Sequence, residues 1–152
     1  MLTFVSIIIG YFIGSVNPSY LIAKCKGFDI RKSGSGNAGA SNAVITMGAG
    51  VGAFSAIFDI MKAYGVYILA TFLSDIPYAG LLAGTACILG HIFPFYMHFR
   101  GGKGLACLGG VILAFDWRVF LLLLGFELIV LWITNYLCLV PLSAAVIFPI
   151  IY

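Results

Sequence analysis

Apolar residues run through this chain in long blocks, and the polar residues fall between them in short clusters. A helix needs about 20 apolar residues to cross a bilayer. Residues 2–23 form a first such block, interrupted near its end by Asn17-Pro18. Residues 50–73 form a second, with Asp59 and Lys62 inside it, and residues 76–97 form a third. Residues 105–115 are apolar but too short to cross without their flanks, residues 119–137 are long enough, and residues 142–152 make half a crossing. The pattern predicts an all-α, polytopic membrane helix bundle of about five spans plus a partial sixth. Residues 1–152 read as a single membrane domain. The first block lacks a basic leader and a small-residue cleavage site, so it reads as a retained span.

Composition agrees with the pattern. The chain is 62% hydrophobic and 9% charged, with a mean hydropathy of +1.14. Soluble domains carry about 25% charged residues, so a soluble core is excluded. The formal net charge is only +3, and basic and aromatic residues are not interleaved as a nucleic-acid face requires. No nucleic-acid partner is expected. The cations instead sort by side. Lys24, Lys26, Arg31 and Lys32 follow the first block, and Arg100 and Lys103 follow the third, against Arg118 alone on the opposite side. Six against one places the N-terminus outside and the two cation-bearing segments in the cytoplasm.

Both of those segments contain a glycine-rich island: Ser33-Gly34-Ser35-Gly36-Asn37-Ala38-Gly39-Ala40-Ser41-Asn42, and Gly101-Gly102-Lys103-Gly104. Glycine admits positive φ and close approach of a ligand to backbone N–H groups. Ser35, Ser41, Asn37 and Asn42 add short side-chain donors, and the first island leads into a helix whose N-terminus favours an anion. A lysine framed by glycines reaches a phosphate without competing side chains. The two islands therefore suggest two cytoplasmic loops that handle phosphate at a membrane face. The plainer readings are a flexible Gly/Ser loop and interfacial anchoring by Lys103.

Other polar residues are weighed in the same way. His91 stands one turn before Pro94, and a histidine inside a span is costly to bury, which makes it a candidate proton carrier or phosphate donor. Asp59 and Lys62, three apart on one helical face, read as a structural ion pair. Glu127 lies mid-span without a partner in sequence. His98 reads as interfacial. The four cysteines, Cys25, Cys87, Cys107 and Cys138, are scattered, with no spacing of a metal site. No metal and no cofactor are expected. Gly48/Gly52 and Gly80/Gly84 have the small-xxx-small spacing that lets helices approach.

Taken together, Gly34 to Asn42, Asp59-Ile60-Met61-Lys62, Gly90-His91-Ile92-Phe93-Pro94 and Phe99-Arg100-Gly101-Gly102-Lys103-Gly104 resemble the bacterial acyl-phosphate:glycerol-3-phosphate acyltransferases. Thr134, Tyr136 and Leu139 fit a further family stretch. The resemblance covers nearly the whole chain. It implies a multi-pass enzyme of the bacterial inner membrane that moves a fatty acyl group from acyl phosphate to the 1-hydroxyl of glycerol 3-phosphate. The products are lysophosphatidic acid and phosphate, in the first step of phospholipid synthesis. Its partners are acyl phosphate, glycerol 3-phosphate and membrane lipid. By resemblance, Ser35 lies near the substrate phosphates, Gly101, Gly102 and Lys103 bind glycerol 3-phosphate, and His91 is the family-like histidine ahead of them. Ser35, His91 and Lys103 are the candidate catalytic residues. Gly34, Gly36, Asn37, Gly39, Asn42, Gly101, Gly102 and Gly104 are the candidate phosphate binders.

The chain departs from the family at three places. Ile45 stands where an arginine is usual, Cys138 stands where a serine is usual, and the third motif, which supplies His, Asn and Glu, has no counterpart within these 152 residues. A shortened form or a divergent relative that binds a phosphate ligand without turnover is the second reading. A small transporter using Asp59, Lys62, Glu127 and His91 is a third.

Overall fold

The computed structural model describes residues 2–134. It is helical, with no strand among those residues. The helices are α1 (Leu2–Ser15), α2 (Pro18–Cys25), α3 (Ala40–Met47), α4 (Ala49–Leu73), α5 (Ala79–Ile92), α6 (Leu105–Phe115) and α7 (Trp117–Thr134). Three stretches are long and apolar enough to cross a membrane: Leu2–Cys25, Ala49–Leu73 and Ala79–Met97. The first crossing is two helices rather than one. Pro18 cannot continue α1, and it opens α2 with Asn17 as the cap, whose Oδ1 accepts from Tyr20 N–H at 2.9 Å. The sixth apolar block, and Tyr136, Cys138 and Leu139, lie outside the described residues.

One compact unit ends at Val111 and a second begins at Ile112. The first unit is built inside out relative to a soluble protein. Most buried positions on its long helices are small or polar: Gly10, Gly14 and Ser15 on α1, Gly52, Ser55, Asp59 and Lys62 on α4, Ala83, Gly84, Cys87, Gly90 and His91 on α5. Its large apolar residues, among them Phe4, Phe12, Phe54, Ile57, Met61 and Phe72, are exposed. Lipid is as apolar as leucine, so helices in a bilayer associate by close packing of small residues while bulky ones meet the acyl chains. A Cβ on Gly14 would strike the backbone of Cys87, and one on Gly90 would strike the carbonyl of Tyr11. The α1–α5 contact thus depends on glycines that the spacing rule passed over. Of the glycines it named, Gly52, Gly80 and Gly84 do face neighbouring side chains, whereas Gly48 has open space around it and forms the joint between α3 and α4 with φ 93°.

In the second unit, Ile112, Val119 and Leu123 form a small cluster with Phe120. Asp116 starts α7: its Oδ1 accepts from Arg118 N–H at 2.8 Å. Glu127 is half-buried on this helix.

Candidate active site

Both glycine-rich islands lie at one end of the first unit. Asn17, at the break in the first span, ties the first island to the turn that precedes the second: its Nδ2 donates to Ala38 O at 2.8 Å and its N–H to Tyr96 Oη at 3.3 Å, while Tyr96 Oη donates to Ser15 O at 2.9 Å. Arg31 makes a second tie, with Nη1 donating to Met97 O at 2.7 Å. Met97 is buried with Ile30, Ala38 and Ala43 beneath the loops. The opposite end is marked by a 2.7 Å hydrogen bond between Thr3 Oγ1 and Ser74 Oγ.

Arg31 is aimed by Asp29 through a bidentate pair, Nε to Oδ1 at 3.0 Å and Nη2 to Oδ2 at 2.7 Å, and its guanidinium lies over the Tyr20 ring. The Arg31 side chain holds the Asp29 carboxyl well below the usual carboxylate range, at about 2. Sequence reasoning counted Arg31 only as a charge on one side. The Asp-Ile-Arg spacing of an Asx-type turn was the available signal.

The first island is organised by Asn42. This residue is fully buried in the first turn of α3, and its Nδ2 faces three carbonyls, Ile30 O and Ser33 O at 3.0 Å and Asn37 O at 2.8 Å. Its Oδ1 accepts from Ser35 N–H at 2.8 Å. Gly34 and Gly36 take φ of 58° and 75°, which a side chain there would strain. The loop curls around one amide, leaving Gly34, Ser35, Gly36 and Ser41 exposed and Asn37 half-buried. Gly39 caps α3 without a side-chain hydrogen bond, so no side chain answers the helix's first N–H groups. Asn42 was read as a phosphate donor. Its amide is instead committed to the loop's shape.

In the second island, Gly101 N–H donates to Ile92 O at 2.9 Å and Gly102 N–H to His91 O at 3.1 Å. The N–H groups of both glycines are therefore spent on the end of α5. The need for glycine is steric: a Cβ on Gly101 would meet the His91 carbonyl, and one on Gly102 would meet the His91 imidazole at Nε2. Gly102 and Gly104 are buried and Lys103 is exposed between them, just before α6 begins at Leu105.

Beneath that loop lies a buried charged cluster. Lys62 Nζ is 2.7 Å from Asp59 Oδ1, 3.1 Å from His91 Nδ1 and 2.6 Å from Val16 O, the carbonyl freed by the break after α1. His91 Nδ1 is also 3.3 Å from Asp59 Oδ1. The ion pair expected from the i,i+3 spacing is present, and His91 completes it from a second helix. His91, a candidate proton carrier or phosphate donor by sequence, has a carboxylate and a thiol beside it that no sequence spacing offered: ligating atoms of Asp59, His91 and Cys107 all lie within 4.8 Å of one another. Sequence spacing could not find this, because the three residues come from three helices. His98 is exposed, in a left-handed turn with Phe99.

Comparison with known proteins identifies the family. A family model described as glycerol-3-phosphate acyltransferase matches residues 4–152. The glycerol-3-phosphate acyltransferase of Thermotoga petrophila is 42% identical over 138 residues, 90% of this chain and 70% of that one. The one from Bacillus subtilis is 38% identical over 156 residues, 100% of this chain and 78% of that one. Among solved structures, PlsY (YgiH), an integral membrane glycerol 3-phosphate acyltransferase in its glycerol 3-phosphate form, superposes with a TM-score of 0.90 and 31% identity, covering 95% of this chain and 72% of that chain. The chain belongs to the glycerol-3-phosphate acyltransferase family.

Proposed function

We propose that this protein transfers a fatty acyl group from acyl phosphate to the 1-hydroxyl of glycerol 3-phosphate, releasing phosphate and lysophosphatidic acid at the cytoplasmic face of the bacterial inner membrane. The observation that carries the reading is the pairing of two anion-suited features at one end of the bundle. One is a helix start, α3, left without a side-chain cap behind an exposed glycine loop. The other is the exposed Lys103 ahead of α6. Relatives that share the family name act on glycerol 3-phosphate by that name, and a second solved form of PlsY is described as its lysophosphatidic acid form.

In this reading Ser35, Asn37 and the uncapped start of α3 behind Gly39 hold the acyl phosphate, and Gly34 and Gly36 shape the turn that presents them. Lys103, carried at Gly104 and the start of α6, holds the acceptor phosphate. Gly101 and Gly102 fix where Lys103 stands. Acyl phosphate is a mixed anhydride with a good leaving group, so the acceptor hydroxyl attacks the acyl carbonyl directly. The C–O bond to phosphate breaks as the new ester forms, and the hydroxyl proton goes to the departing phosphate. His91 is 3% exposed with its Nε2 under Gly102, which favours a donor-phosphate oxygen as base and gives His91 the role of supporting the second island. Preorganised donors stabilise the charge that develops on the carbonyl oxygen, and one such group is worth about 10²–10³-fold in rate. Co-location of the substrates supplies the entropic part.

A second reading, a relative that binds phosphate without turnover, has one observation in its favour. Ile45 on α3 is 68% exposed at the position where the family resemblance calls for arginine. The deciding experiment supplies palmitoyl phosphate and glycerol 3-phosphate to the purified chain in lipid cubic phase and follows lysophosphatidic acid. Product that falls at least tenfold in Ser35→Ala, with a raised KM for glycerol 3-phosphate in Lys103→Ala, supports the enzyme. Folded protein that makes no product until Ile45→Arg is introduced supports the second reading.

A further inference from the structure

The acyl-transfer reading makes no use of two buried thiols. Cys87 on α5 and Cys107 on α6 are both fully buried. Cys87 and Cys107 pack in one buried cluster between α4, α5 and α6. With Asp59 and His91, Cys107 brings a carboxylate oxygen, an imidazole nitrogen and a sulfur within 4.8 Å of one another. Asp59 Oδ1 is buried, 2.7 Å from Lys62 Nζ and 3.3 Å from His91 Nδ1.

The donor set is that of a thiophilic divalent ion. Zinc takes Cys, His and carboxylate ligands at about 2.0–2.3 Å in a tetrahedron. Neighbouring ligands are then about 3.3–3.8 Å apart, which small side-chain rotations reach from the present spacing. We propose that Cys107, His91 and Asp59 form a binding site for a Zn²⁺-type cation, with Cys87 as the fourth donor. Binding converts two thiols to thiolates, so two protons leave as the doubly charged ion arrives and the net buried charge stays the same. That neutrality matters inside a bilayer, where an added uncompensated charge is expensive. The ion draws Asp59 and His91 away from Lys62 and loosens the support beneath Gly102, so its effect on acyl transfer is inhibition. The route in is short: His91 is one residue from the end of α5, under a loop whose Lys103 is exposed.

Co²⁺ is the probe, added to the reduced full chain in detergent micelles. Binding of one equivalent should give the intense visible bands of tetrahedral cobalt with sulfur-to-cobalt charge transfer, and Zn²⁺ should displace it. The bands should vanish in Cys107→Ser, lose roughly half their charge-transfer intensity in Cys87→Ser, and persist in Cys25→Ser. This readout is independent of catalysis, so it stands apart from the acyl-transfer assignment. A spectrum of octahedral cobalt only, or thiolate bands that survive both Cys107→Ser and Cys87→Ser, would overturn the site. Equal Zn²⁺ inhibition of the parent and Cys107→Ser chains would overturn its link to activity.

Discussion

The glycine-rich loop at 33–42 and the Asp59–Lys62–His91 cluster are both polar islands in an apolar chain, held by opposite means. The loop is neutral at its centre. One buried amide, Asn42, gathers three carbonyls and one N–H, and the chain's own backbone supplies every partner. The cluster is charged and gathers its partners from three elements: Asp59 and Lys62 from α4, His91 from α5 and the Val16 carbonyl from the end of α1. A neutral organiser leaves its surroundings open, and the loop leaves Ser35 exposed. A charged organiser must be enclosed, because its energy depends on keeping water out and partners in. Shape is set by the first kind of centre, and rigidity between helices by the second.

The comparison can be broken most sharply at Lys62. Lys62→Ala leaves the Asp59 carboxylate buried without its cation, and removing one partner of a buried pair costs about 3–5 kcal/mol. Thermal unfolding in detergent should show this as a large fall in Tm, and the Asp59→Asn/Lys62→Met double variant should recover much of it. A double variant as unstable as the sum of its singles would refute the pairing. Asn42→Ala should come next, at about 1–3 kcal/mol for the carbonyls left without a donor. It should also raise KM for acyl phosphate, since the loop loses its template. A change in stability with kinetics intact would separate Asn42 from the site.

Asp29 offers a smaller test. Its carboxyl sits at about 2 when folded against an ordinary value of 3.8, a depressed value. Its contribution is therefore complete above about pH 4 and is lost as pH falls towards 2. The Asp29→Asn chain should be less stable than the parent at neutral pH, and the gap should close across that acid window. A gap that is unchanged at pH 2 would remove the Arg31 pairing as its cause. The smallest stability effect belongs to Ser35→Ala, within about 0.5 kcal/mol because the side chain is exposed, although activity should fall at least tenfold. Equal losses of stability and activity would assign Ser35 to the fold.

The legible parts of this molecule are those set by local rules. Residues 50–73 and 105–115 read as helices because hydropathy and length act within one segment, and α4 and α6 begin and end within a residue of those limits. The Asp59–Lys62 pair was legible because i,i+3 neighbours share a face. The break at Asn17-Pro18 was visible, but its use was not: Asn17 bonds Ala38, far along the chain, and Lys62 takes the Val16 carbonyl. Gly101 and Gly102 read as open N–H groups because sequence shows what a residue can offer and not what lies against it. The end of α5 takes those groups first. Cys107 reached His91 for the same reason, across helices that no spacing rule connects.

The Val16 carbonyl has a consequence for how the chain enters a membrane. A ribosome delivers the first span before α4, so the broken helix is already present, with an unpaired acceptor, when Lys62 emerges. A lone α4 carries an ion pair into lipid at a penalty. Beside the first span it carries a pair whose ammonium has found a third ligand. His91 arrives last and closes the set. The break in the first span thus gives the buried ammonium of α4 a backbone acceptor, so the charge of Lys62 is met by three elements rather than by Asp59 alone.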